Sequence, residues 1–477
     1  MRTKIIFQIV LIVLISLSNL SFAQRIAAGG WHSLVVCNDS TIKTFGENAT
    51  GELGNGSDVD SSNPIDPGLS GIIEVSGGGD QLEAHSLALK SDGTVWSWGS
   101  NIYGALGNGS TNNTSVPGPV LVLSDIVSIS AGGWHSVALK RNGTVWTWGW
   151  NTDGQLGDGT TSDRTIANQV PGLSGITAIS AGTYHVLALK DDSTVWAWGD
   201  NVSGQIGDGT TIDKTSPVQV SGLTGIVKVS AGRFFSLAVK NDGTVWTWGE
   251  NIYGQLGNGT TTESHVPVQV NGLTGITSAI VATGAFHCMT VKNDGTVWAW
   301  GRNTYGNLGD GSVAHRSIPV QMQGIADVAG MAAGTNFSLI YKTDGTFWGC
   351  GRNLSGQLGD GTLLQRNTLS QSTNVCSILQ ISGIAKYGEL HSKSITAFPN
   401  PSANGVFSID LSDVLDSKSE EQIAVYDVLG NIILQKIIDF ADTNEPVEID
   451  ISSKPNGIYY LTISSDSSRI YQKLIKQ

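Results

Sequence analysis

The chain has 477 residues, 40% hydrophobic and only 14% charged, which is enough apolar content for a large core. Acids outnumber bases 40 to 27, giving a formal net charge of −13, and no basic run interrupts that balance. A protein that displaces counterions from phosphate backbones needs the opposite sign, so nucleic acid is not an expected partner.

Residues 1–23 have the make-up of a secretory signal peptide. Arg2 and Lys4 give a positive start, Ile5 to Leu17 an apolar run, and Ser21-Phe22-Ala23 a small-x-small cleavage site. A thirteen-residue run is too short to cross a bilayer, so no integral membrane segment is expected after cleavage. The mature chain is expected to begin at Gln24, with a net charge of −15 once Arg2 and Lys4 are gone.

From there one pattern returns seven times. Its fullest copy, Asn241 to Thr260, reads NDGTVWTWGENIYGQLGNGT, and the glycine closing the Trp-x-Trp-Gly element falls at Gly46, Gly99, Gly149, Gly199, Gly249, Gly301 and Gly351. A period of 50 to 53 residues marks a repeat architecture. Thr244 to Trp248 reads as a strand entered through an Asp-Gly turn. Alternation places Trp246 and Trp248 on one face and Val245 and Thr247 on the other. Eleven of the fourteen tryptophans lie in this element and are expected in the core. A second strand, His135 to Lys140 in one copy, precedes it after an Ala-Gly turn. A tight Asn-x-x-Gly-Gln-Leu-Gly loop follows, and then a proline-bearing edge strand such as Ser216 to Val220. Four short strands per unit, seven times over, predict an all-β seven-bladed β-propeller.

The AG-x-x-H-S-x-A-L, DGTVWxWG and NxxGQLGDGT stretches resemble the regulator of chromosome condensation repeats over roughly Arg25 to Ser394. The first unit departs most, with Lys43 and Phe45 at the two tryptophan positions and Glu52 at the loop glutamine. It also begins abruptly at Arg25, while Ile378 to Ser394 repeats an opening half with Gly388, His391 and Ser392. The expectation is therefore a propeller domain over 24–396 with one blade completed from both ends of the chain. Of the cysteines, Cys288 and Cys350 occupy core strand positions and read as buried thiols, whereas Cys37 and Cys376 are left open. No cysteine pair or His/Cys cluster suggests zinc, and neither metal nor cofactor is expected.

Past Ser394, short alternating strands predict a small β-sandwich over 397–477. Pro399-Asn400-Pro401, YDVLGN with Gly430, IDIS, NGIYYL with Gly457, and the terminal KLIKQ with Lys473 and Lys476 resemble the carboxy-terminal sorting domain of the type IX secretion system. That resemblance implies a Bacteroidota-type host and engagement of the type IX secretion machinery. It further implies release or attachment at the cell surface, with removal of this domain afterwards.

The recurrent histidine (His32, His85, His135, His185, His287, His391) suggests catalysis or metal binding, but a residue returning once per blade is better read as hydrogen-bonding its turn. The glycine loops are not GxGxxG and no helix follows them. Two registers do vary between copies. Before the histidine stand Trp31, Ala84, Trp134, Tyr184, Phe234, Phe286 and Asn336; after the Trp-Gly glycine stand Glu47, Ser100, Trp150, Asp200, Glu250, Arg302 and Arg352. Trp31, Trp134, Trp150, Tyr184, Phe234, Phe286, Arg302 and Arg352 are thus candidate ligand-binding rim residues, since aromatics and arginine dominate interface energetics. The alternative is that some of these aromatics pack between blades. A non-catalytic secreted module binding a protein or glycan is the expected function. Nucleotide exchange on a small GTPase, as the resemblance to nuclear members would imply, loses its substrate outside the cell. A polysaccharide-acting enzyme would need a non-repeating acid pair, and none is evident.

Overall fold

The computed structural model describes residues 25–80, 83–372 and 375–376 of one compact unit. Of a second it describes 397–398, 402–404, 406–409, 421–426, 432–438, 447–454, 457–464 and 469–476. The expected leader, Ile378 to Ser394 with His391, Pro399, Asn400, Pro401 and Gly430 lie outside those residues. Every regular element among the described residues is a strand.

Seven four-stranded antiparallel sheets occupy residues 26–65, 72–119, 126–169, 176–219, 226–269, 276–321 and 328–372, forming a seven-bladed β-propeller. The fourth blade shows the plan. Ile176–Ala181 lines the centre, His185–Lys190 and Val195–Gly199 follow, and Lys214–Gln219 forms the outer edge. His185 pairs with Gly199 and Leu189 with Val195, and in the turn between them Asp192 Oδ1 accepts the backbone N–H of Thr194 at 3.0 Å. That local bond explains why Asp or Asn keeps this turn position. In the long loop, Asn201 Nδ2 donates to the carbonyls of Thr210 (3.0 Å) and Ile212 (3.1 Å), while its Oδ1 accepts the N–H of Ile206 at 3.0 Å. One buried amide thus satisfies backbone groups that a coiled loop would otherwise strand.

Adjacent blades are joined by one recurring clasp. Trp248 Nε1 and Ser236 Oγ both donate to the carbonyl of Gln205, one blade back, each at 2.8 Å. Trp148 with Ser136 on Ala105, and Trp98 with Ser86 on Glu52, repeat the arrangement. His185 Nε2 meets Ser236 Oγ at 2.8 Å. Because that hydroxyl gives its one proton to the carbonyl, the imidazole must be the donor, neutral and protonated on Nε2. The expected role of the histidine is therefore corrected: it bonds the next blade's serine and not its own turn. The ring packs beneath the turn glycine, where a Cβ on Gly182 would meet His185 Cε1 at 2.7 Å. The next blade after His135 carries Val186 at the serine register, and His135 Nε2 has no hydrogen-bond partner.

The ring closes differently from the sequence expectation. Each blade takes its strands from one consecutive stretch, and the three-residue strand Ile26–Ala28 supplies the first blade's own inner edge. Thr335 N–H donates to Gly30 O at 3.2 Å and Ser33 Oγ to Gln357 O at 2.8 Å across the seam. Phe45 fills the tryptophan position and is buried there with Phe337, Leu339 and Leu358. A Cys37–Cys376 disulfide, 339 residues apart, staples the two ends of the propeller, while Cys288 and Cys350 are buried free thiols.

The second unit carries a three-stranded sheet of Ala397–Phe398, Val406–Ile409 and Val447–Asp450. Its four-stranded sheet orders Ile432–Ile438, Glu421–Tyr426, Gly457–Ser464 and Arg469–Lys476. Phe407, Ile423, Val425, Ile449 and Leu461 are buried, as a small sandwich requires. Gly457 opens a strand and pairs with Lys476; Lys473 pairs with Tyr460. Lys476 is itself buried, its ammonium donating to the carbonyls of Ile451, Ser452 and Lys454.

Two outcomes follow. Reducing Cys37–Cys376 should lower unfolding free energy by about 6 kcal/mol in the chain-entropy picture of so long a loop, read by denaturant melts with and without reductant; an unchanged midpoint would show that the seam holds without it. The second concerns pH. Burial, with the neighbouring His85 and His185, pulls the His135 imidazole down from 6.5 to about 3. The unfolded chain therefore binds the extra proton, and this stability contribution is lost as pH falls from about 6.5 towards about 3. His135→Phe, the residue found at Phe235 and Phe337, should gain on the parent by about 1.4 kcal/mol per pH unit across that window. Parallel pH profiles for the two proteins would refute the assignment.

Candidate binding surface

The two variable registers meet because of strand pairing. The His-bearing strand and the Trp-Gly strand end opposite one another, His135 against Gly149, so the residues just beyond them are neighbours. Trp150 N–H donates to Trp134 O at 2.9 Å, and the same bond joins Glu47 to Trp31, Ser100 to Ala84, Asp200 to Tyr184, Glu250 to Phe234, Arg302 to Phe286 and Arg352 to Asn336. Every blade thus delivers two free-to-vary side chains to the same end of the propeller.

On blades three to five these side chains become one aromatic cluster. The Trp134 and Trp150 ring centroids lie 5.4 Å apart, nearly perpendicular, and both contact Tyr184 at 5.8 Å. Tyr184 stacks on Phe234 at 4.7 Å, and Tyr103 adds a fifth ring 5.9 Å from Trp150. Trp134, Trp150, Tyr184 and Phe234 are half-buried: their packing fixes them, yet part of each stays open to solvent. The rings therefore pack against one another and also face outward.

Arg233 continues the chain of contacts, its guanidinium 5.3 Å from Phe234 and 5.4 Å from Phe286. Arg302 lies 5.1 Å from Phe286 and 5.0 Å from Tyr253. Phe286 is buried beneath these two cations, so it supports the surface and does not form it. Arg352 sits 4.0 Å above the Trp31 ring, and these two form a separate pair. The extra residues after Gly77 have a definite use. Asp80 pairs with Arg233 at 2.7 Å and accepts the Tyr184 hydroxyl at 3.1 Å, while Glu83 accepts Trp134 Nε1 at 3.1 Å. A loop of blade two thereby ties blades three, four and five together.

Carboxyls at the same end are desolvated. Burial pushes Glu47 up to about 8, with Glu52 and Asp60 adding to the rise and Arg352 opposing it. Burial likewise lifts Asp200 to about 6, assisted by Asp213 and Asp153. Tyr103, Tyr253, Arg233, Asp80 and Glu83 were missed in the sequence reading. Tyr103 and Tyr253 occupy a third variable register, two residues after the loop asparagine, where other blades have Thr50, Asp153, Ser203, Tyr305 and Ser355. Aligning that register would have found them. No group of three or more His, Cys, Asp or Glu side chains suited to a metal occurs among the described residues. No helix among them is long and apolar enough to cross a membrane.

Comparison with known proteins agrees with this architecture. The model of the RCC1-like domain matches residues 10–282, and models of the regulator of chromosome condensation (RCC1) repeat match 294–341 and, separately, 279–307 and 328–357. The secretion system C-terminal sorting domain matches 396–477. Among curated relatives, the mitochondrial RCC1 domain-containing protein RUG3 of Arabidopsis thaliana is 34% identical over 113 residues, 23% of this chain and 24% of that protein. The E3 ubiquitin-protein ligase HERC2 of Homo sapiens is 36% identical over 106 residues, 21% of this chain and 2% of the ligase. The chain thus spans about a quarter or less of these relatives. Among solved structures, human WBSCR16 superposes with a TM-score of 0.58 at 24% identity, covering 65% of this chain and 85% of that one. Yeast RCC1 (Prp20), solved with Kap60, gives 0.64 at 21%, covering 75% and 86%. Seven blades built on these repeats, and a domain match spanning more than half its length, show that this chain belongs to the RCC1-like domain family and carries a secretion-system sorting domain at its carboxy terminus.

Proposed function

We propose that the propeller, taken as residues 24–396, is a secreted or surface-displayed binding module that captures a protein or glycan with its variable end and does not turn it over. The domain over 397–477 directs export by the type IX machinery of a Bacteroidota-type host and is then removed. The sorting-domain match supports the export route. The observation that carries the binding reading is the convergence of two variable registers at one end, where five rings touch in sequence from Tyr103 to Phe234. Two of the polar handles are already occupied, Trp134 on Glu83 and Tyr184 on Asp80, so these rings present fixed faces that lose little entropy on binding. Trp31 with Arg352 offers a second contact point on the same end.

The test uses the mature protein against immobilised glycans and host surface proteins. For whichever ligand is captured, Trp134→Ala and Trp150→Ala should each weaken binding by about 2 kcal/mol, roughly thirtyfold. Trp248→Ala, in the fully buried clasp, should instead lower stability by about 3 to 5 kcal/mol. The ligand should be recovered chemically unchanged. Full affinity in both rim variants, or conversion of the ligand, would overturn the proposal.

A further inference from the structure

The inner strands of all seven blades enclose a central channel of about 590 Å³, a volume typical of small-molecule sites. Its neck is built of the Ala-Gly turns, whose backbones hydrogen-bond around the axis, Gly79 N–H to Gly132 O, Thr183 N–H to Gly232 O and Ala285 N–H to Gly334 O. Two features of the lining decide what the channel could hold.

The first is charge. One register of the inner strands, set by pairing with Leu89, Leu139, Leu189, Val239 and Tyr341, carries Glu74, Ser128, Ala178, Lys228 and Gly330. Glu74 is buried and pinned by its own neighbours, accepting Ser128 Oγ at 2.9 Å and the N–H of Ile129 at 3.2 Å. Burial pushes it up to about 7, the two hydrogen bonds and Lys228 opposing, so it bears only part of a negative charge at neutral pH. Lys228, three blades away, has its ammonium pulled down by burial against the opposing pull of Glu74. Arg25 is the third ionised side chain on the lining. In a protein of net charge −13 the lining thus sets two basic side chains, Lys228 and the exposed Arg25, against one carboxyl.

The second feature is an excess of donors. Ser76, Ser130 and Ser180 accept the backbone N–H groups of Ala131, Ala181 and Ala231 at 2.9, 2.9 and 3.0 Å. A hydroxyl used as an acceptor still holds its proton to give. Hydroxyl protons and an ammonium around one cavity call for an acceptor-rich ligand, and Ala178 and Ile280 add an apolar wall.

We propose that the central channel binds a small organic carboxylate, its anionic head on Lys228 and the serine hydroxyls and its carbon skeleton along the apolar wall. Isothermal titration of the mature full-length protein with gluconate, lactate and benzoate tests this, with glucose and inorganic phosphate alongside. At least one carboxylate should bind saturably at millimolar concentration, and glucose should not. Lys228→Met should weaken that carboxylate roughly tenfold or more, the loss expected for a charge-assisted hydrogen bond. Lys228→Arg should retain binding. Without ligand, the melting temperature of Lys228→Met should not fall, because a desolvated ammonium has been removed. Absence of binding by all three carboxylates, unchanged affinity in Lys228→Met, or equally tight binding of phosphate would overturn the proposal. A measurement independent of variant folding uses the unmodified protein. Reductive methylation of Lys228, read by peptide mass spectrometry, should be slowed by the bound carboxylate and not by glucose, and equal rates would again overturn it.

Discussion

The propeller depends on one loop carbonyl per blade that accepts hydrogen bonds from side chains of the next blade, an indole N–H together with a serine hydroxyl at Glu52, Ala105 and Gln205. Gln205 O, held by Trp248 and Ser236, shows it in full, with His185 a third side chain in the same network, as His32 and His85 are at the Glu52 and Ala105 carbonyls. Each neutral hydrogen bond contributes only about 1 kcal/mol net, but a carbonyl buried without a partner would cost more than that. The tryptophan adds a large apolar area and a single donor at one point, which no other side chain combines. Gly207 belongs to the same constraint: its φ is 76°, and a Cβ there would meet Trp248 Nε1 at 2.7 Å. The Trp-x-Trp-Gly, His-Ser and Gly-Gln-Leu-Gly motifs are therefore three parts of one contact between blades.

Concentrating cohesion in that contact frees the strand ends. The residues one step before the histidine strand and one step after the Trp-Gly strand are joined in every blade by the same backbone bond, so the fold fixes their backbones and leaves their side-chain types free. This chain uses that freedom unevenly. Blades three to five invest it in Trp134, Trp150, Tyr184 and Phe234, and blades six and seven in Arg302 and Arg352. The loop carrying Asp80 and Glu83 then fixes part of that surface.

The blade count, the strand order and the core tryptophans were legible in the sequence because each is written seven times over, with spacing that only stacked units explain. The variable registers were legible for the complementary reason. What could not be read are contacts between copies. The partner of His185 is Ser236, 51 residues on, and nothing local distinguishes that from a bond to its own turn. Arg233 looks like one more irregular residue before a phenylalanine until the fold sets it against Asp80, Phe234 and Phe286. Ring closure was misread because a truncated first strand resembles a missing one, whereas three residues suffice to pair Ile26 with Val35 and Ala28 with Ser33. The Cys37–Cys376 staple was hidden by its departure from the repeat, since it joins the two positions where the ring has no continuous chain.

The clasps should make the seven blades a single cooperative structure, leaving the rim free to specialise. Native-state hydrogen exchange of the tryptophan indole N–H groups, followed by NMR, tests it most directly. Trp98, Trp148, Trp198, Trp248 and Trp300 each donate to a carbonyl in the preceding blade. Their five indole protons should exchange together, with the free energy of global unfolding. Exchange of some of them through lower-energy openings, blade by blade, would contradict the claim.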